Sequence, residues 1–164
     1  MKKRLNTLLF LIAAFWFVGC HSSSTSEQQA AASTETPSAS ASTSTANPLD
    51  DKGIGPVQSV QLGPIQSELA KKGEAIFNEK CTACHRIESR YIGPALKGVT
   101  KRLAPEWIMN MILNPDVMIQ QDPIAKQLVN ESNGAVMANL HLSEDDARAL
   151  LEYLRSIDDS SSSR

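Results

Sequence analysis

Apolar and polar positions divide the 164-residue chain into stretches with different periods. Leu8 to Val18 is an unbroken apolar run of eleven residues behind Lys2, Lys3 and Arg4. A charged start followed by a short apolar run reads as a secretory signal, and the run falls short of the ~20 helical residues that span a bilayer. Residues 22–45 show no apolar period: 14 of the 24 are Ser or Thr, and alanines fill most of the gaps. Such a segment has too little apolar surface to bury, so it is expected to stay disordered. Residues 46–67 carry Gly53, Gly55, Pro56, Gly63 and Pro64, show little periodicity and lead into the domain, with wrapping of part of it as the alternative to a free lead-in. Residues 20–66 are therefore read as a tether. Flexible-chain statistics give it a reach of roughly 35–40 Å between Cys20 and Gly63.

Helical spacing begins at Ser67. Leu69, Gly73, Ile76, Phe77 and Cys81 predict a helix over Glu68 to Cys84. A second helix starts at Pro105, which suits a first helical position, and shows Trp107, Ile108, Met111 and Ile112 on its apolar face. Asn114-Pro115 ends it. A shorter helix follows Asp122-Pro123, carries Ile124, Leu128 and Val129, and stops at the Asn133-Gly134 turn signal. The last helix has Ser143 as its cap and Glu144, Asp145 and Asp146 at the positive end of its dipole. Ala147, Leu150, Leu151, Leu154 and Ile157 form its buried stripe. Nothing alternates like a strand. The expected fold is one all-α domain over 67–157, with a frayed, solvated tail over 158–164.

The chemistry sits in Cys81-Thr82-Ala83-Cys84-His85. Two thiols three positions apart on a short helix are placed to add across the vinyl groups of a haem, and the next histidine to bind its iron. A redox dithiol would want a βαβ setting, and a structural zinc site four protein ligands. The one other cysteine is Cys20. A covalently attached haem c also answers a packing problem, because a domain of about ninety residues makes a marginal core unaided.

Charge adds a polarity. Formal net charge is −2, and losing Lys2, Lys3 and Arg4 with the signal would leave −5. Residues 71–102 hold eight Lys or Arg against three acids, net +5, whereas 103–164 hold four against ten, net −6. Lys80, Arg86, Lys97, Lys101 and Arg102 fall in segments expected to border the haem edge. That arrangement suits steering of an acidic partner, with ordinary solvating charge as the alternative. No nucleic-acid partner is expected.

Two resemblances extend this reading. Phe17-Val18-Gly19-Cys20 resembles a bacterial lipoprotein signal, which implies removal of residues 1–19 and lipidation of Cys20. All three cysteines then have roles, and the compartment agrees with haem attachment outside the cytoplasm. Residues 68–157 resemble a class I monohaem cytochrome c: Gly73 and Phe77, the CTACH motif, Ile92-Gly93-Pro94-Ala95-Leu96, Trp107, Met137, then Leu150 and Tyr153 occur in that family's order. The resemblance implies that Gly73 and Phe77 cross the last helix near Leu150 and Tyr153. It implies that the Pro94 carbonyl accepts a hydrogen bond from the His85 ring, and that the Trp107 indole N–H reaches a haem propionate, with core packing as the alternative. It places His85 and Met137 as axial iron ligands. Met118, read as lying in a loop, and His141 remain alternatives to Met137, while Met109 and Met111 pack in the core.

The implied function is a monomeric, lipid-anchored electron carrier on the periplasmic side of the cell envelope. It would pass single electrons between a donor and an acceptor protein of a respiratory chain, without being an enzyme. Alternatives are a haem enzyme or gas sensor with a displaceable sixth ligand, or a haem subunit of a larger respiratory complex.

Overall fold

The structure, a computed structural model, describes residues 47–162, and side chains as far as 160. The signal, Cys20 and the Ser/Thr-rich segment lie outside the described residues. Among the described residues there are helices and turns but no strand, and no helix is long and apolar enough to cross a membrane.

Helix α1 spans Ser67–Ile76 and is followed by a π-helical turn, Phe77–Cys81. The sequence reading had one helix running on to Cys84. Instead, Thr82 N–H bonds back five residues to the Phe77 carbonyl at 3.2 Å, widening the last turn just before the thiols. Then come α2 (Val99–Arg102), α3 (Pro105–Leu113), α4 (Pro115–Gln121), α5 (Pro123–Glu131) and α6 (Glu144–Ser162). Helices α2 and α4 were not expected. Pro115 serves both to end α3 and to open α4, because a proline fits a first turn as well as it stops a preceding one. Met118 is consequently helical, not in a loop.

α3 supplies the centre of the core. Trp107, Ile108 and Met109 are buried with Met118 of α4, Ala125 of α5, and Ala147, Leu151 and Leu154 of α6. α1 crosses α6 at Gly73, where a Cβ would meet the Ala149 carbonyl oxygen at 2.0 Å. The helices touch backbone to backbone there, so no larger residue fits. Phe77 and Tyr153 extend the crossing, with ring centroids 5.4 Å apart, and Lys72 pairs with Asp146 at 2.7 Å. Asp146 also accepts from Ser143 Oγ at 2.7 Å, while its own N–H donates to that oxygen at 3.2 Å. This is a reciprocal cap at the start of α6.

Two assignments of disorder are corrected. Residues 47–66 were read as part of the tether, yet they form an ordered strap against α3 and α6. Val57 is buried, and polar side chains of the helices grip the strap's backbone. Asn110 accepts from Val57 N–H at 2.9 Å and donates to the carbonyls of Lys52 and Val57 at 3.0 and 2.9 Å. Glu106 accepts from Val60 N–H at 3.0 Å. Glu152, fully buried, binds Arg148 at 2.5 Å and Arg155 at 2.7 Å. Those two arginines donate to the carbonyls of Gln61 and Gly63, and Gln66 N–H reaches Glu152 at 3.3 Å. The second correction is at the C-terminus. α6 runs on to Ser162, and Asp158, read as frayed tail, is buried. Its carboxylate receives the N–H groups of Gly98 and Thr100 at 2.5 and 3.0 Å, tying α6 to α2.

Candidate haem site

The π-helical turn delivers Cys81, half-buried, and the following tight turn exposes Cys84; neither is in a disulfide. Cys84 and His85 N–H groups both bond to the Cys81 carbonyl, at 3.0 and 2.8 Å. The motif is therefore compact, with His85 directly after the turn. Burial, then the neighbouring Cys84, push the Cys81 thiol above its ordinary value, with Lys80 opposing. A redox-active dithiol needs the reverse, a thiol whose value is lowered toward neutrality.

The His85 imidazole is fixed on two sides. Its Nδ1 lies 3.1 Å from the Pro94 carbonyl oxygen, the contact that the family resemblance implies. A carbonyl only accepts, so the proton of this contact is on Nδ1 and the lone pair of Nε2 is left for a metal. Gly93 lies flat against the ring: a Cβ there would come within 2.5 Å of Cε1. Pro94 and Gly93 reach this position because the loop folds back, with Gly93 N–H donating to Cys84 O at 2.9 Å. The donor set, two unpaired thiols beside an imidazole with one oriented nitrogen, fits a covalently attached haem. Among the described residues no group of three or more His, Cys, Asp or Glu is gathered to hold a bare metal ion.

Trp107 departs from expectation. Its indole N–H donates to Asp122 Oδ1 at 3.2 Å, in a buried contact, so it is not free for a propionate. Asp122 caps α5, accepting from Ala125 N–H at 2.7 Å, and this places a carboxylate within reach of the indole. Burial raises the Asp122 carboxyl above the usual carboxylate range, against the lowering effect of the bonds from Ala125 and Trp107.

The methionines divide. Met109 and Met118 are in the core and Met111 packs against it. Met118 is completely buried, and the Ile54 N–H of the strap points at its sulfur at 2.9 Å. Met137 is half-buried in the segment between α5 and α6, outside that core. His141, in the same segment, is exposed with φ of 51°. Sequence reasoning missed two residues beside the site, Gly93 as the wall behind the ring and Tyr91, under the Arg86 guanidinium at 4.2 Å. The Gly-Pro pair was a visible signal for the first; an exposed tyrosine gave none for the second.

Comparisons with known proteins agree with this geometry. The cytochrome c-551 of Stutzerimonas stutzeri is 32% identical over 98 residues, covering 57% of this chain and 84% of that protein. A solved cytochrome c from Rhodothermus marinus is 54% identical, covers 65% of this chain and 91% of that one, and superposes with a TM-score of 0.63. An engineered form of the Rhodothermus marinus protein, solved bound to a carbene intermediate, is likewise 54% identical, covering 64% and 91%, with a TM-score of 0.59. Residues 70–158, just over half of the chain, match the family model for cytochrome c. The chain therefore belongs to the cytochrome c family, and Cys81 and Cys84 fit the motif by which that family holds its haem c.

Proposed function

We propose that the protein is a single-electron carrier whose haem iron would be held by two of its own side chains, His85 and Met137. When bound, haem c supplies a one-electron ferric/ferrous couple. Cys81 and Cys84 hold the group covalently, and the His85 Nδ1 proton stays directed at the Pro94 oxygen, so His85 offers Nε2 in one orientation. Outer hydrogen bonds of this kind fix a ligand's ring and raise its basicity.

The observation that carries the reading is the allocation of thioethers. Three of the four methionines among the described residues are used by the core, and Met137 is the one left outside it. A methionine opposite a histidine raises the reduction potential and leaves no vacant position for substrate. That is the arrangement of a carrier, not of an enzyme or gas sensor.

Further parts of the reading concern place and partners. A cut before Cys20 and lipidation there would hold the domain on the periplasmic side of a bacterial membrane. A short tether raises the local concentration of redox partners on the same membrane, which compensates for the weak interfaces typical of electron-transfer encounters. Donor and acceptor are other respiratory proteins, and the carrier is a monomer.

Carbon monoxide tests the closed site. The ferrous protein is expected to bind it negligibly at neutral pH, as read from its visible spectrum. Prompt, saturating binding would reassign the protein as a haem enzyme or sensor.

A further inference from the structure

We infer that Arg86 and Tyr91 are positioning residues for His85, clamping the loop that presses Gly93 and Pro94 against the imidazole. The inference rests on the reading of His85 as an iron ligand. The loop from Cys84 to Lys97 closes through its backbone: Gly93 N–H donates to Cys84 O at 2.9 Å, Leu96 N–H to Arg86 O at 3.2 Å and Lys97 N–H to Ile87 O at 2.9 Å. The exposed tip at 88–92 lies between these rungs, immediately before Gly93. The Arg86 side chain reaches both limbs. Its Nη1 donates to the His85 carbonyl at 2.9 Å and also to the Thr82 carbonyl. Its guanidinium lies 4.2 Å over the Tyr91 ring, and the Tyr91 N–H donates to Gly93 O at 3.1 Å. One planar group thus joins the backbone of the haem motif to the residue that anchors Gly93. Since Gly93 touches the imidazole and Pro94 accepts from it, the clamp controls how tightly the Nδ1–H bond is held.

That bond bears on the couple. A firmly held Nδ1 proton makes the imidazole a stronger donor, which favours the ferric state. Loosening the clamp is therefore expected to raise the reduction potential. Tyr91→Leu removes the ring without touching His85 or Pro94. Arg86→Lys keeps the charge but loses the planar fork and its stacking.

The test uses the haem-loaded protein and two readouts, the solvent exchange of the His85 ring N–H in the ferrous state by NMR, and the reduction potential. Both variants are expected to speed the exchange about two- to fivefold, as for the loss of a solvent-exposed cation–π contact, and to raise the potential. Tyr91→Phe, which keeps the stack, should match the parent. Parent-like exchange and potential in both Tyr91→Leu and Arg86→Lys would overturn the inference. So would a shift confined to Arg86→Gln, which would make the arginine a mere nearby charge. A low-spin spectrum persisting in His85→Ala would instead remove the ligand reading beneath it.

Discussion

Asp122 shows what a single residue contributes when its surroundings oppose its charge. It is 2% exposed, receives N–H groups from Trp107 and Ala125, and has Asp51 of the strap nearby; burial is the largest influence and raises its carboxyl. A raised value means that the native protein binds this proton more readily than the unfolded chain. Stability is then fully present below the unfolded value of 3.8 and falls as pH rises through the folded one. Asp122→Asn keeps an oxygen for Trp107 and Ala125 but removes the charge. It should be more stable than the parent to urea at pH 7, with the difference narrowing toward about pH 4. A less stable variant at pH 7 would mean that the charged hydrogen bonds outweigh the burial. Residue-level chemistry was legible where it is local or where the order of family elements carries it, as at the Gly73–Tyr153 crossing. CTACH carries its meaning within five positions. Trp107 and Asp122 are fifteen positions apart and meet only because α3 and the α4–α5 junction pack together, so the indole's partner was misread.

Among the elements, the strap is the most informative. An extended segment with Val57 and Val60 as its inward residues has no helical period, and its backbone bonds end on side chains some fifty residues away or more. Composition therefore leaves it between the end of a tether and a lead-in that wraps part of the domain. Asn110 acts as a substitute strand, both accepting from and donating to strap backbone. Asn110→Leu leaves Val57 N–H and the Lys52 and Val57 carbonyls without this partner. At about 1–3 kcal/mol for each buried group left unpaired, the loss should be roughly 3 kcal/mol, measured by urea unfolding of the haem-loaded protein. A loss under about 0.5 kcal/mol would mean that the strap is dispensable to the fold. The longer helices were read well, because apolar spacing and the Ser143 cap state them locally. The four-residue α2 has too few positions to show a period, and α4 hid behind a proline taken only as a stop.

At the scale of the whole molecule, the net charge and its distribution predict opposite behaviour. A protein carrying −2 overall should repel anions, whereas a positive 71–102 region around the haem motif should attract them. Reduction by a small anionic reagent is expected to slow as ionic strength rises from about 0.01 to 0.15 M, and reduction by a cationic reagent not to slow. The reverse order would make the basic residues ordinary solvating charge. The family and the helical fold were legible because the motif and the apolar spacing are both in the chain. The order of elements already put Met137 ahead of Met118 as a ligand; packing adds that Met118 is enclosed by the strap while Met137 stands outside the core. Equilibrium redox titration of the haem-loaded protein tests that choice most directly. The account predicts a single one-electron transition, about 59 mV per decade, whose midpoint falls in Met137→His and stays at the parent value in Met118→Leu. A midpoint that moves with Met118 and ignores Met137 would contradict it.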